Sequence, residues 1–389
     1  MAEYVIGSGI ESHNLLEHLK KESSKVIYIR HPSPALGPNS FPNIVEVMGD
    51  GNSRSTIWIP LPRPFRRLLS YLRDFLVTLH AVRTNRSSGI QSVYIGRESY
   101  CAFQGLVLKK LGLVQRVIMF NADYPLAVAR YSNPLMYKPL RFLEAFCVSR
   151  CDFVWDAADV MGQLRKSDGI SVTPSNRLVV PTGNNFNKIS RLNESEINRF
   201  SIAYAGILSE SKGIRLLLSS LPRLVAKFPR VHVNIIGDGP LRKTLESELE
   251  GMNLRRVVTF YGYVPLMSDI EHVLTRCGVG LALYDPSPAN YARYTDPAKP
   301  KLYLSCGLPV IITRVPPFAN EIENNSAGVV IDYSNTELES ALYTILHDPN
   351  AYSRYRKSAI ELGSKYDWAN VVHNALNETL GWFEMTRLT

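Results

Sequence analysis

The alternation of short apolar runs with amphipathic helical patterns constrains the fold of this 389-residue chain more than any other feature. Short apolar runs bounded by turn residues predict strands, and the longer periodic segments between them predict helices. Because strands that alternate with helices pair in parallel, the pattern predicts doubly wound α/β sheets. The chain is too long for one ordinary core, so we expect two domains.

We predict one Rossmann-like domain over residues 1–184, a polar linker over 185–199, a second Rossmann-like domain over 200–365 and a closing helix over 366–389. The first half has predicted strands at 4–6, 26–30, 44–47, 92–95, 117–120, 153–155 and 178–180, and helices at 11–21, 64–83, 100–111, 134–149 and 158–166. The second half has predicted strands at 200–204, 231–236, 257–260, 279–282 and 329–331, and helices at 213–227 and 240–251. Ligands of such sheets bind at the carboxyl ends of the strands, so the cleft between the domains is the predicted site.

The composition narrows the possible surroundings of the chain. The sequence contains no stretch of about 18 apolar residues, so we expect no transmembrane helix. The residues after Met1 do not resemble a signal peptide. Five cysteines without paired spacing indicate a reducing cytosol. Cys147 and Cys151 are interpreted as buried thiols, because two thiols alone make a poor zinc site.

Charge suggests two kinds of partner. The net charge is +9, and the segment from Arg63 to Arg86 carries six arginines against one acid, Asp74. Such a patch suits nucleic acid or an anionic membrane. Since the chain has no nucleic-acid motif, we do not expect nucleic acid as a partner.

Residues 296–312 combine a loop bearing a lysine, a short helix and a buried strand. Gly307 can take the left-handed conformation that ends a helix, and Pro309 cannot continue one. The start of the helix presents free N–H groups and a partial positive charge, which suits a phosphate. Lys299 at its mouth supplies the full charge that a diphosphate needs.

Three further segments accompany it: Gly206–Gly213, which contains Lys212; Ile235–Leu241, whose Gly237 and Gly239 permit close backbone approach to a ligand; and Phe260–Val264. Together these segments resemble the donor-binding elements of GT-B glycosyltransferases, particularly family 4 and its relatives. The resemblance implies two Rossmann-like domains facing across a cleft, and a final helix that crosses back to the first domain. It implies a nucleotide-diphosphate sugar as donor substrate, for which we expect UDP, and no separate cofactor. Gly206 and Lys212 would then lie at the diphosphate, and the backbone around Tyr263 would hold the base.

Two departures from the family pattern affect the donor site. Ile207 replaces an arginine, and the positions of the family's paired glutamates are Tyr294 and Leu302. Lys299, however, lies where the xanthan-type glucuronosyltransferase family has a phosphate-binding lysine. We therefore expect Lys299 at the phosphate and Asp296 or Tyr294 near the sugar. Alternatively, Lys299 and Lys301 are solvated loop lysines.

An apolar strand that ends in a polar cluster, Arg116–Tyr124, suggests the catalytic side. It resembles the strand that carries the general base of the same glucuronosyltransferase family, and Asp123 falls on that position. A carboxylate can accept the proton of an acceptor hydroxyl, although Asp is also favoured as a helix N-cap. Glu98 is the second candidate carboxylate. His13 could line the acceptor side or be an exposed helix residue.

No metal site is expected. The metal motif Asp-x-Asp of the other main glycosyltransferase fold is absent from the sequence, and the two lysines and a helix terminus can neutralise a leaving diphosphate. Family 4 implies retention of the anomeric configuration, whereas an aspartate base and the missing glutamates imply inversion. Both outcomes stay open.

The predicted helix 64–83 is basic and amphipathic, with apolar residues at 65, 68, 69, 72, 75, 76 and 79. Such a helix can lie in a membrane interface or pack onto the sheet of its own domain. A second basic and aromatic stretch, 130–142, favours an anionic membrane surface. We therefore expect a cytoplasmic protein bound peripherally at the inner face of the cell membrane, acting on a lipid-linked or oligosaccharide acceptor in polysaccharide or glycoconjugate synthesis.

Two rival functions remain. A nucleotide-sugar epimerase of the same fold would use the donor without an acceptor, and such enzymes usually lack a basic amphipathic face. A non-catalytic glycosyltransferase-like partner protein would explain the missing glutamates and Ile207. The retained Lys212, Gly237, Gly239 and Lys299 argue against it, because a dead site does not need phosphate ligands.

Overall fold

The computed structural model describes residues 12–32, 42–49, 52–59, 66–86, 92–132, 134–170 and 176–385. The chain forms two compact units: the first unit combines Met1–Pro181 with Trp368–Thr389, and the second unit is Thr182–Asp367. Residues 185–199, expected as a linker, lie within the second unit and contain the short 3-10 helices Phe186–Lys188 and Glu194–Glu196. The predicted strand 4–6 and the glycine turn after it lie outside the described residues.

The first unit alternates strands and helices over most of its length. Its elements are α1 (Ser12–Glu22), β1 (Val26–Arg30), β2 (Asn43–Met48), β3 (Ser53–Ile57), α2 (Arg66–Asn85), β4 (Val93–Arg97), α3 (Glu98–Lys110), β5 (Arg116–Asn121), α4 (Pro125–Ser132), α5 (Pro134–Val148), β6 (Phe153–Asp156), α6 (Val160–Ser167) and β7 (Arg177–Val179). Strands β4, β5, β6 and β7 form a parallel sheet in that order. This sheet agrees with the predicted crossover pattern.

The other sheet of the first unit is antiparallel. Strands β1, β2 and β3 pair in that order, each antiparallel to its neighbour. The prediction of parallel pairing throughout this half is therefore wrong for these strands. Only four residues separate β2 from β3, and a parallel pair would need a crossover of about a dozen residues or more. Sequence analysis missed β3 because its residues are polar and exposed and show no apolar alternation.

The second unit is a doubly wound parallel sheet with helices on both faces. Its elements are β8 (Asn198–Ala205), α7 (Ile214–Lys227), β9 (His232–Ile236), α8 (Arg242–Gly251), β10 (Val258–Gly262), α9 (Met267–Leu274), β11 (Cys277–Ala282), α10 (Ala298–Ser305), β12 (Val310–Thr313), α11 (Ala319–Asn324), β13 (Gly328–Ile331), α12 (Asn335–His347) and α13 (Pro349–Ser364). Tyr204 and Ala205, neighbours in β8, belong to two different apolar clusters. Since successive strand residues point to opposite faces, both faces of the sheet are covered.

The strand order of this sheet is β10-β9-β8-β11-β12-β13, and every neighbouring pair is parallel. The chain therefore winds outward from β8 in one direction and then, from β11, in the other. In open α/β sheets, ligands bind outside the carboxyl ends of the strands at such a reversal. The fold therefore predicts a ligand site at the residues that follow β8 and β11.

The last helix, α14 (Trp368–Met385), belongs to the first unit. Its apolar residues, among them Trp368 and Phe383, share a core cluster with Trp155 of β6. The indole N–H of Trp155 donates a buried hydrogen bond of 2.8 Å to Thr379 Oγ1. The chain thus returns after the second unit to complete the core of the first.

Candidate functional site

Two glycine turns meet at the strand reversal of the second unit. Gly206 follows β8 with φ +139°, and Gly237 follows β9 with φ +132°. The Gly206 N–H donates to the Ile236 carbonyl at 2.8 Å, and the Gly237 N–H donates to the Gly262 carbonyl at 2.8 Å. A Cβ on Gly237 would lie 2.1 Å from the Gly206 carbonyl oxygen. Glycine is therefore required at Gly237 by backbone packing alone.

Gly239 is also held against the first turn. The Leu208 N–H donates to the Asp238 carbonyl at 3.0 Å, and a Cβ on Gly239 would lie 2.5 Å from the Leu208 carbonyl oxygen. The glycine-rich turn thus has a structural reason for its composition. Contact of Gly237 and Gly239 with a ligand stays a prediction.

Lys299 brings a buried cation to these turns. Its Nζ is buried and has no hydrogen-bond partner among the residues that the structure describes. It lies 4.3 Å from the centre of the Tyr204 ring and 5.8 Å from that of Tyr284. Burial lowers the pKa of Lys299 to about 7, and the positive charge of Lys212 acts in the same direction. A bound anion would relieve both effects.

The absence of a side chain on Gly206 makes room for this ammonium. A Cβ there would lie 3.0 Å from Lys299 Nζ and 3.1 Å from its Cε. Gly206 is thus linked to the lysine site through sterics, a role that sequence reasoning did not assign to it.

Lys212 supplies a second cation at the same place. It ends the 3-10 helix Glu210–Lys212, just before α7. Its Nζ donates to Tyr291 Oη at 2.9 Å and lies 4.2 Å from the centre of that ring and 5.6 Å from that of Tyr284. Tyr284 therefore lies near both ammonium groups. Aromatic faces stabilise cations without neutralising them, so the pair of lysines keeps its attraction for an anion.

Helix α10 adds its own partial charge. It begins at Ala298 after Pro297, and no side chain of the described residues caps it. The first backbone N–H groups of such a helix have no partner within the helix and attract anions. Lys299 is the second residue of α10 and not part of the loop before it. Helix α10 therefore supplies both the Lys299 ammonium and the partial positive charge of a helix N-terminus.

Lys301 has a different environment from Lys299, although both lie on α10. Its Nζ is fully buried, donates to the Thr182 carbonyl at 2.9 Å and pairs with Asp296 Oδ2. The interpretation of both lysines as solvated loop residues is therefore wrong. The same Asp296 oxygen accepts from the Thr182 N–H at 2.6 Å. The Asp296 carboxylate thus holds the loop before α10, and its expected place near the sugar stays a prediction.

The remaining donor-side candidates lie on surface segments. Tyr294 ends the 3-10 helix Tyr291–Tyr294, and its hydroxyl donates to the Pro288 carbonyl at 2.8 Å. Tyr263, just beyond β10, is 79% exposed, and Ile207, where the family has an arginine, is 61% exposed. Their contacts with a donor stay predictions.

Sequence analysis missed the three tyrosines Tyr204, Tyr284 and Tyr291. Tyr204 is near the end of β8, and Tyr284 comes two residues after β11. A signal for the first two was present, because both lie at the carboxyl ends of strands that the α/β pattern brings to one edge. Tyr291 had none, because its loop returns to Lys212 only through tertiary contacts such as that of Asn290 Nδ2 with the Ser211 carbonyl at 3.0 Å.

The first unit brings the two candidate carboxylates together. Glu98 opens α3 directly after β4, with φ +59°. Burial raises the pKa of Glu98 to about 7, Arg97 acts against this rise, and the charges of Asp123 and Glu144 add to it. A positive φ is costly for a residue with a side chain and is found most often where function demands it. Asp123 is half-buried and lies between β5 and α4. Tyr124, not Asp123, immediately precedes Pro125, the first residue of α4.

A buried network of charges supports the segments that carry these carboxylates. Glu144 accepts hydrogen bonds from Ser99 Oγ and, at 2.7 Å, from Arg165 Nε. Arg165 also donates to both oxygens of Asp156, at 2.6 and 2.8 Å, and Asn121 Nδ2 donates to Asp156 at 3.0 Å. The network joins the residue after Glu98 to the end of β5, two residues before Asp123. Sequence analysis did not identify it, because its members are far apart in the chain.

The other chemical candidates are one histidine and two cysteines. His13 lies on α1. Cys147 and Cys151 are buried free thiols, and burial raises the pKa of Cys147 to about 12. Within the described ranges, no three His, Cys, Asp or Glu side chains are grouped so that they could hold a metal ion.

Comparisons with known proteins agree with this architecture. Residues 199–348 match the family Glycosyl transferases group 1. Sulfoquinovosyl transferase SQD2 of Arabidopsis thaliana is 23% identical over 297 residues, which cover 72% of this chain and 55% of the relative. Glycogen synthase of Mycobacterium tuberculosis is 23% identical over 172 residues, which cover 44% of this chain and 40% of the relative. The chain thus spans about half the length of the curated relatives it matches.

Solved structures share the fold over nearly the whole chain. HepE of Anabaena, solved in complex with UDP, has a TM-score of 0.71 at 14% identity, and the alignment covers 97% of this chain and 99% of HepE. Sucrose-phosphate synthase of Thermosynechococcus elongatus has a TM-score of 0.71 at 14% identity, with 98% and 100% covered. The predicted fold class, α/β with two Rossmann-like domains as in GT-B proteins, is confirmed. The matches support the predicted glycosyltransferase class, whereas the closer likeness to family 4 and to the xanthan-type enzymes stays a prediction.

Proposed function

We propose that this chain is a glycosyltransferase that moves a sugar from a UDP-sugar to a lipid-linked or oligosaccharide acceptor at the cytoplasmic face of the cell membrane, in polysaccharide or glycoconjugate synthesis. The observation that carries the donor assignment is the buried ammonium of Lys299, which lies beside Lys212 and the start of α10 and has no hydrogen-bond partner in the described part of the chain. Relatives named as glycosyl-transferring enzymes and a fold shared with HepE, which was solved with UDP, support it.

Charge development explains why the donor would need these groups. As the bond between sugar and diphosphate breaks, negative charge builds on the leaving diphosphate. Preorganised cations and helix N–H groups stabilise such charge in proportion to its growth. Lys212, Lys299 and the first N–H groups of α10 are the residues that would hold the diphosphate. The proposed reaction is metal-independent because these groups supply the positive charge.

The acceptor hydroxyl needs a base. We assign that role to Asp123, with Glu98 as the second carboxylate of the site. Glu98, whose pKa is raised to about 7, is partly protonated at neutral pH and can donate as well as accept a hydrogen bond. The network through Glu144 and Arg165 would keep both carboxylate segments in place.

Nucleotide binding to the purified chain tests the donor assignment. UDP, GDP and ADP are added in separate thermal-shift titrations to the wild type and to Lys299→Met. A ligand at about 100 times its Kd adds roughly 2.7 kcal/mol to the free energy of unfolding. We expect UDP to stabilise the wild type selectively and Lys299→Met much less. Lys357→Met, at a lysine whose side chain is 80% exposed, is the matched control. No response to any of the three nucleotides contradicts the proposal.

A second experiment separates transfer from its rivals. UDP-sugars are incubated with the protein, with and without membrane lipid extract, and UDP release and sugar isomers are measured. UDP release that depends on acceptor supports the proposed transferase. Isomerisation or hydrolysis without acceptor would instead identify an epimerase. UDP binding with neither reaction would identify a non-catalytic partner protein.

A further inference from the structure

Helix α2 buries Val77, Ala81 and Val82 in the core of the first unit, but it also exposes two leucines and buries three polar residues. Leu72 is 55% exposed and Leu76 is 52% exposed, whereas Arg73, Asp74 and Thr78 are buried. The sequence left two possibilities for the apolar face that includes Leu72 and Leu76: packing onto the sheet, or contact with a membrane. The structure excludes internal packing for these two leucines.

The buried polar face of α2 is held by specific hydrogen bonds. Arg73 Nε donates to Asp74 Oδ1 at 2.9 Å, and Thr78 Oγ1 donates to Gln104 Oε1 at 3.0 Å. His31 Nε2 lies 3.0 Å from Thr78 Oγ1. Rolling α2 inward to bury its leucines would break the contacts of Thr78 with Gln104 and His31, each at a cost of about 1–3 kcal/mol. The outward orientation of the leucines is therefore fixed.

An aromatic strip continues this surface over two neighbouring helices. It consists of Tyr71 on α2, Tyr100 and Phe103 on α3, and Phe142 and Phe146 on α5. The Tyr71 and Tyr100 ring centres are 4.7 Å apart, those of Phe103 and Phe146 are 5.8 Å apart, and those of Phe142 and Phe146 are 6.4 Å apart. Phe142 is 72% exposed. The aromatic strip is thus a continuous apolar surface across three helices.

The charges around the aromatic strip have one predominant sign. Among the described side chains of these helices, Arg83, Lys110 and Lys138 are exposed cations. Arg73 is buried beside Asp74, and Lys109 pairs with Asp152. The acids of the three helices are Asp74, Glu98 and Glu144. Asp74 and Glu144 are buried. Lys138 is exposed one turn before Phe142, and the Arg150 guanidinium lies 4.1 Å from the centre of the Phe146 ring. An apolar surface with a cationic rim is complementary to a partner that offers apolar contact and carries negative charge.

We propose that the aromatic strip and its cationic rim dock this chain on the surface of an anionic lipid bilayer. Aromatic and aliphatic side chains enter the interface, and Lys and Arg attract acidic headgroups. A second copy of the chain is a poorer partner, because a two-fold contact through this strip would set the cationic rims against each other. This inference rests on the proposed function, which places the acceptor at the membrane, and it names the surface that would bring the chain there.

Vesicle flotation of the full chain tests the proposal. The vesicles are phosphatidylcholine alone or phosphatidylcholine mixed with phosphatidylglycerol, and the variants are Phe142→Ser and Lys138→Glu. Both residues are exposed, so folding is retained and is checked by thermal unfolding. We expect binding to the mixed vesicles only, weakened by roughly tenfold in each variant and by high salt. Leu266→Ser, at a 59% exposed leucine of the second unit, is the control and should bind as the wild type does.

Several results would overturn the docking surface. Equal binding to both vesicle types would remove the role of anionic lipid, and unchanged binding of both variants would place the contact elsewhere. A concentration-dependent dimer that Phe142→Ser dissociates, without vesicle binding, would identify a second copy as the partner. UDP stabilisation is measured on the same samples. If the chain binds vesicles but UDP does not stabilise it, the donor site is refuted. If UDP stabilises the chain but vesicles do not bind it, only the docking surface is refuted.

Discussion

Lys299 and Lys301 lie two residues apart on α10, and the described part of the chain provides a carboxylate partner for Lys301 but not for Lys299. Lys301 Nζ is paired with Asp296, whereas the buried Lys299 Nζ faces the Tyr204 ring at 4.3 Å. A buried charge is costly unless it is paired. One lysine therefore stabilises the second unit and the other is available for a ligand.

Substitution of the two lysines should have opposite effects on stability. Lys299→Met removes a buried ammonium that no described residue pairs with, and we expect the free energy of unfolding at pH 6.5 to stay unchanged or to rise by about 1 kcal/mol. Lys301→Met leaves the Asp296 carboxylate buried without its cation and should cost about 3–5 kcal/mol. Urea unfolding of both variants without ligand measures the difference. A destabilised Lys299→Met would show that this lysine has a structural role.

UDP binding should weaken with rising pH. The pKa of Lys299 is lowered from 10.5 to about 7. Above pH 7 the Lys299 side chain of the ligand-free protein is therefore mostly a neutral amine, and UDP must bind together with a proton. By linkage, affinity should fall by up to about tenfold per pH unit above pH 7. Calorimetry in two buffers of different ionisation enthalpy reports the proton uptake, which Lys299→Met should lack. Constant UDP affinity between pH 7 and 9 would contradict the assignment.

The same pKa has a consequence for the ligand-free protein. The charged form of Lys299 is penalised in the folded state, so stability should rise as the pH increases from about 7 towards 10.5. The difference in stability between Lys299→Met and the wild type should shrink over the same pH range, which provides an internal check.

Two glycines of the second unit offer a matched comparison. Gly237→Ala places a methyl group 2.1 Å from the Gly206 carbonyl oxygen at φ +132° and should cost about 2–4 kcal/mol. Gly251→Ala, at the end of α8, meets no atom within 4 Å and should stabilise by roughly 0.5–1 kcal/mol. Thermal unfolding compares the two. Equal effects would contradict the close stacking of the turns at Gly206 and Gly237.

The raised pKa of Glu98 predicts a pH-dependent stability. Between pH 4.5, the ordinary pKa of a glutamate, and about pH 7, the pKa of Glu98 in the folded state, the folded protein binds more protons at Glu98 than the unfolded chain does. The corresponding stability is present below pH 4.5 and is lost as the pH rises through 7. Glu98→Gln should therefore gain stability relative to the wild type at pH 8 compared with pH 5. An identical difference at both pH values would show that Glu98 titrates normally.

Asp123 is tested by its effect on turnover. If it is the base, Asp123→Asn should lower kcat by about 10²–10⁴-fold with little change in the KM for the donor. Glu98→Gln should lower kcat less and alter the pH profile near 7. A full loss in Glu98→Gln with normal turnover in Asp123→Asn would exchange the two roles.

Much of the second unit could be predicted from local pattern alone. Its strands are buried on both faces and appear as continuous apolar runs, and glycine and proline separate them from the helices. The motifs around Gly206, Lys212 and Lys299 also converge at one edge, because the carboxyl ends of parallel strands do so in any doubly wound sheet.

Side-chain environments could not be predicted in the same way. Helix α2 shows an apolar periodicity that indicates an inward face, yet it buries Asp74 and Thr78, whose partners His31 and Gln104 come from other elements. Lys299 and Lys301 look alike in the sequence, but Asp296 and the Thr182 carbonyl are partners of Lys301, whereas Lys299 faces the Tyr204 ring. Such differences depend on tertiary hydrogen bonds that local patterns do not encode.

The position of α14 has a consequence for the order of folding. The second unit is one continuous segment, so all of its contacts are available once residue 367 has been synthesised. The first unit needs Trp368, Phe383 and the other apolar residues of α14 to close its core. During synthesis the core of the first unit can therefore be completed only after the whole second unit has been made. Until then, the apolar residues that pack against α14, among them Trp155 and Phe153, lack that cover.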